Sequence, residues 1–233
     1  MLTIVVVAAE KAELDGILAR CAKVRITDWN IRFGRSAEWK GCRLLLAANG
    51  PGPALSGAAM DEIGTEKVDA IISTGLCGAL DPALEVNAIF AASRVAGESG
   101  EPSFAASLPS TSRHFESGVL ISTDRFVGTV AEKARLRALG AGAVEMEALA
   151  VASRAASKGI PFFCIRAVSD RACDGFDIDF NRMRDAAGRF QLPRIAMHAM
   201  ARPSRRFPEL LKLKRNSDSA AKALGEFFDD CRF

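Results

Sequence analysis

Histidine is scarce in this chain, two among 233 residues, and the six cysteines (Cys21, Cys42, Cys77, Cys164, Cys173 and Cys231) lie scattered with no CxxC pair. That argues against a zinc site, and the cysteines placed in apolar runs read as small core residues. A large excess of charge is also lacking. The formal net charge of +3 gives no electrostatic footprint for nucleic acid. The first apolar run, in MLTIVVVAAE, has no positive charge ahead of it and is too short to cross a bilayer. It reads as a first strand, and the protein is expected in the cytoplasm. No internal repeat is found. With 49% hydrophobic and 25% charged residues, the chain suits one well-cored globular domain.

Leu2 to Ala9 is β-branched and reads as a parallel-type strand, and EKAELDGILARC after it has apolar residues at helical spacing. Glu10 and Glu13 fall in the first turn of that helix, where an acid either complements the helix dipole or points into a site. Residues 22–42, with Trp29, Ile31, Phe33 and Trp39 alternating against polar neighbours, predict an antiparallel hairpin. Arg43 to Ala48 is a second core strand that runs into Asn49-Gly50-Pro51-Gly52-Pro53 and a small-residue helix. Glycine turns of this kind can cradle an anion, but Pro51 and Pro53 have no N–H to give and no Lys or Arg is close in sequence. Further strands are expected at Val68–Thr74, Val86–Ser93 and Gly118–Ser122, with a polar loop at 97–117 covering the site and a helix at Val130–Gly140.

The most informative stretch is AVEMEALAVASRAASKGIPFFCIRAVSD, residues 143–170. It predicts a helix opening on a cluster of acids, a turn at Gly159–Pro161, and a strand covered on both faces that ends at Ser169-Asp170. In open α/β sheets, ligands bind at that end of the strands. Asp170, Glu147 and Glu13 would then converge on one crevice. Three carboxylates without a ligating histidine suit glycosidic-bond cleavage through a cationic sugar, which requires one protonated carboxyl, one ionised carboxylate for a ribose diol, and a base for water.

VEMEA and RAVSD resemble the signature of the nucleoside phosphorylase/nucleosidase superfamily, and the order of motifs is similar over roughly residues 1–185. The resemblance implies a three-layer α/β/α fold with a central mixed, largely parallel twisted sheet, no cofactor and no metal. It implies Asp170 as the acid that protonates the leaving purine with Ser169 orienting it, and Glu147 as the ribose-diol ligand. It places Met146 against the sugar, Phe126 of TDRF on the base, Glu145, Gly75 and Leu76 in the substrate site, and Glu13 as the residue that activates water. Superfamily members are homo-oligomers, so one is expected here.

Phosphorylases of this superfamily resemble RVGS where this chain has Ser73-Thr74-Gly75-Leu76, so an arginine and a serine that would hold phosphate are replaced. A buried dianion without cationic partners is costly, which favours water over phosphate as nucleophile, with Arg125 and Arg166 the remaining basic candidates. Residues 1–201 are expected to form the catalytic domain and 202–233 a basic amphipathic helical extension packed on the domain or on a partner. STGLCGALDPAL and the tail resemble the hopanoid-associated branch, which implies an adenosylhopane-like substrate and peripheral membrane contact through residues 202–222. Phosphorolysis, methylthioadenosine/S-adenosylhomocysteine cleavage, a non-catalytic nucleoside-binding module and a membrane scaffold are the alternatives.

Overall fold

A computed structural model describes residues 1–64 and 67–233. Ten strands form one mixed sheet: β1 (Thr3–Ala8), β2 (Ala22–Ile26), β3 (Phe33–Trp39), β4 (Cys42–Ala48), β5 (Ala70–Ala79), β6 (Ile89–Ala96), β7 (Ser103–Ala105), β8 (Glu116–Ser122), β9 (Ala141–Glu145) and β10 (Phe162–Asp170). Six α-helices accompany them: α1 (Lys11–Leu18), α2 (Pro53–Ile63), α3 (Val130–Arg137), α4 (Ala148–Lys158), α5 (Leu192–Met200) and α6 (Pro203–Asp230). None of the described helices is long and apolar enough to cross a membrane.

Alternation along β1 sorts the core into two layers. Ile4, Val6 and Ala8 face Leu14 and Ile17 of α1 and Ala220, Leu224, Phe227 and Phe228 of α6. Val5 and Val7 face the opposite cluster, with Ala59 and Met60 of α2 and Val151, Ala152 and Ala155 of α4. The result is helix on sheet on helix, as the α/β reading expects. β1 is parallel to both β4 and β5, and β5 is parallel to β10. β10 then meets β6 antiparallel, β6 and β9 each flank β8 in parallel, and β9 returns antiparallel to β5. Five strands thus close on themselves, leaving β1, β4, β3 and β2 as a wing. The closure gathers the ends of β5, β8, β9 and β10 around one opening.

Three local readings change. Trp29 and Ile31 lie between β2 and β3, so the hairpin is shorter than its alternation suggests. The 97–117 segment contains β7, which pairs with β6. Ala143 to Glu145 belong to a strand, and α4 starts only after Glu147. The small residues of AGAVE carry little propensity of their own; pairing with β8 and β5 decides the strand.

Candidate active site

A cavity of about 620 Å³ opens at the ends of β1, β5, β9 and β10, and Glu13, Leu76, Phe126, Glu145, Met146, Glu147, Ser169 and Asp170 all reach it. Gly75 does not line it. Its φ is +134°, and a Cβ there would stand 2.9 Å from both the Arg166 guanidinium and the Glu13 carboxylate, so glycine leaves room for both groups beside the strand.

Glu13 occupies the first turn of α1, where its Oε2 accepts a 2.9 Å bond from the Glu10 N–H and its Oε1 a 3.0 Å bond from the Leu76 N–H. Burial raises its pKa above the usual carboxylate range, opposed by these N–H groups and by the charge of Arg166. Both expected sequence roles therefore coincide in this residue: it caps the helix and faces the cavity.

Glu147 sits at the entry of α4 and accepts a 2.8 Å bond from the Gly52 N–H. The Asn49–Pro53 turn therefore supplies a donor to a carboxylate instead of a cradle for phosphate. Burial, with Glu145 beside it, pushes Glu147 up to about 8. Glu145 is a correction to the sequence reading. Its carboxylate is engaged by the Arg166 guanidinium and by the N–H groups of Glu147 and Ala148, each 2.9 Å from Oε2, so it anchors the start of α4 and has little left for a ligand.

Asp170 is turned into the cavity by an irregularity in the β10–β5 register between Val168 and Asp170. Its Oδ1 accepts a 2.8 Å bond from the Ser169 hydroxyl, as expected for an orienting serine. Its Oδ2 is ion-paired with Lys133 of α3, a residue that sequence reasoning missed. The available signal was spacing: Lys133 stands three residues before buried Leu136 and so shares its inward face.

Phe126 is held by two bonds with Asn181, from its own N–H at 2.8 Å and to its carbonyl at 2.9 Å. Its ring packs edge-on against Phe176 and Phe180, 5.3 and 5.0 Å between centroids. Neither arginine considered for phosphate is free. Arg166 is fully buried and donates to Glu145, to the Thr74 carbonyl and, at 2.7 Å, to Ser73 Oγ. Arg125 is paired with Glu98 and Glu132. The other cation lining the cavity is Lys222 of α6, exposed at its mouth. Leu213 and Ala221 of α6 join Ala12 and Gly16 of α1 as an apolar wall.

The chain is similar to known proteins in both sequence and fold. The family model described as phosphorylase superfamily matches residues 102–191. A 5′-methylthioadenosine/S-adenosylhomocysteine nucleosidase of Staphylococcus aureus is 28% identical over 148 residues, 52% of this chain and 65% of that protein, so the match spans just under two-thirds of the relative. Among solved structures, the S-adenosylhomocysteine nucleosidase of Streptococcus pyogenes, in complex with 5-methylthiotubericidin, superposes with a TM-score of 0.75 at 19% identity, over 98% of this chain and 95% of that one. The futalosine hydrolase of Helicobacter pylori gives 0.72 at 17% identity, over 98% and 96%. The chain is thus similar to the phosphorylase superfamily model over residues 102–191, and its fold matches these nucleosidase and hydrolase structures along nearly its whole length.

Proposed function

We propose that this protein hydrolyses the N-glycosidic bond of an adenine nucleoside. The observation that carries the reading is the convergence of three buried carboxylates, Glu13, Glu147 and Asp170, on one cavity whose arginine is already committed to other acids. Cleavage passes through an oxocarbenium-like sugar, and the three groups divide the work. Asp170, oriented by Ser169, hands a proton to the purine as it leaves. Glu147 accepts hydrogen bonds from the ribose hydroxyls with Met146 packed beside the sugar, and Phe126 covers the base. Glu13 takes the proton of the attacking water. The sequence similarity to a Staphylococcus aureus nucleosidase supports water as the nucleophile.

The 5′ group is assigned as apolar, on the strength of the wall made by Ala12, Gly16, Leu213 and Ala221. An adenosyl-lipid of the adenosylhopane kind fits that chemistry. It is also consistent with α6 displaying Phe207 and Leu211 to solvent among basic residues, which would give peripheral membrane contact. The test is adenine release from adenosine, methylthioadenosine and a 5′-alkyl adenosine. Preference for the alkylated compound supports the apolar assignment, and equal rates on all three would remove it.

A further inference from the structure

We propose that Lys133 is a positioning residue for the reaction, the partner that supplies Asp170 with the proton passed to the leaving base. The inference rests on the reading of Asp170 as the acid. Lys133 is 1% exposed, and its ammonium meets three groups: Asp170 Oδ2, the Arg171 carbonyl at 2.7 Å, and the face of Phe176, 5.8 Å from the ring centroid. The other Asp170 oxygen accepts from Ser169. Asp170 thus has two donors against it, and the proton passed to the base comes through one of them. Of its two donors, the serine hydroxyl is far too weak an acid, which leaves the ammonium.

As the C1′–N9 bond breaks, its electron pair stays with the adenine, and one proton is relayed from Lys133 Nζ through the Asp170 carboxyl to N7. The products are neutral adenine, a cationic sugar, an Asp170 carboxylate and a neutral Lys133 amine. Water then adds to C1′ and its proton goes to Glu13. Positive charge thus moves from Lys133 to the sugar without accumulating, which matters in a buried site where like charges repel strongly. A side cavity of about 40 Å³, lined by Asp170, Asp174, Phe176 and Lys212, has room for a water through which the pair is recharged from solvent.

Other titratable groups around the pair are turned to other partners or buried. Burial pushes the Cys77 thiol of β5 well up, so it stays neutral. Asp174, against its burial, is held down at about 2 by hydrogen bonds from Lys212 and Arg171. On α6, Glu209 accepts from the Asp177 and Ile178 N–H groups and Lys212 pairs with Asp174; on β9, Glu145 pairs with Arg166.

The experiment compares full-length wild type, K133M and K133R on the adenine nucleoside that wild type turns over best and on 4-nitrophenyl riboside, whose leaving group needs no proton. K133M should lose at least 100-fold in kcat near neutral pH with KM changed less than about threefold, and its kcat should fall about tenfold per pH unit between about pH 6 and 8, where wild type stays level. K133R keeps the charge but does not release a proton, so it should lose kcat as well. On the nitrophenyl compound both losses should shrink to under about tenfold. Wild-type kcat and pH profile in K133M, or recovery in K133R, would overturn the inference while leaving the function intact. Absence of adenine release by wild type would overturn the parent reading and this inference with it. If K133M fails to fold, as judged by thermal melting, the pH profile and kcat of K133R decide.

Discussion

Glu147 sets recognition against stability within one side chain. Its pKa is raised from 4.5 to about 8 by burial and by its neighbour Glu145, so the sign of its effect on folding is fixed. Below about pH 4.5 it is protonated whether or not the chain is folded; as pH rises the unfolded chain sheds the proton first, and stability is lost progressively up to about pH 8. E147Q removes that loss and should stabilise the free protein at pH 8 by on the order of 1–3 kcal/mol while changing it little at pH 4.5, measurable by denaturant titration at the two values. The same substitution should weaken ribose binding at least tenfold; unchanged affinity would take Glu147 out of the site. Asp170 gives the complementary case. D170N should retain an unreactive nucleoside analogue within a few-fold in Kd yet lose roughly 10²–10⁴ in kcat, since the amide delivers no proton. Undiminished turnover would remove Asp170 as the acid. Glu147, Met146, Ser169 and Asp170 were legible in the chain because they occupy two short motifs beside a strand end. Lys133 and the commitment of Arg166 to Glu145 were not, because each depends on a partner far along the chain, 37 residues away for Lys133 and 21 for Arg166.

Among the elements, α1 and α6 have the closest approach that the site depends on. Gly16 and Gly225 face one another, and a Cβ at Gly225 would lie 2.6 Å from the Gly16 Cα, so neither helix can carry a side chain at the crossing without separating. Because α1 carries Glu13, the docking of α6 sets the position of that carboxylate. G225V should therefore cost about 1–3 kcal/mol in stability and lower kcat more than it raises KM; a variant with wild-type melting and kinetics would show that the crossing is not under such constraint. The strands, helices and their order were largely legible, since β1, β4 and β10 are apolar runs, α2 begins after a recognisable turn and α4 ends in one. The closure of five strands was not: it rests on β9, whose AGAVE sequence gives no strand signal until its neighbours are in place. The tail read as amphipathic from sequence, but which face it turned inward was settled by Ala220, Leu224, Phe227 and Phe228 near its end, beyond the basic stretch.

At the level of the whole molecule, Leu192, Met197 and Met200 of α5 are each more than two-thirds exposed, an unpartnered apolar face on a short helix. The expectation of a homo-oligomer predicts that this face packs between copies. Light scattering should give a multiple of the 24.9 kDa chain mass, reduced in an M197D/M200D double variant; a monomeric wild type would refute the assignment. Which nucleophile attacks C1′ turns on where the arginines lie. Arg166 is sealed beneath the site by Glu145, and Arg125 is held at its rim by Glu98 and Glu132, so a phosphate dianion would find no unpaired arginine among the residues that line the cavity. The decisive measurement is adenine release from a purine nucleoside with and without phosphate, with the sugar product identified. Hydrolysis gives the same rate in both conditions and a free sugar. Turnover confined to phosphate, with a sugar 1-phosphate as product, would contradict it.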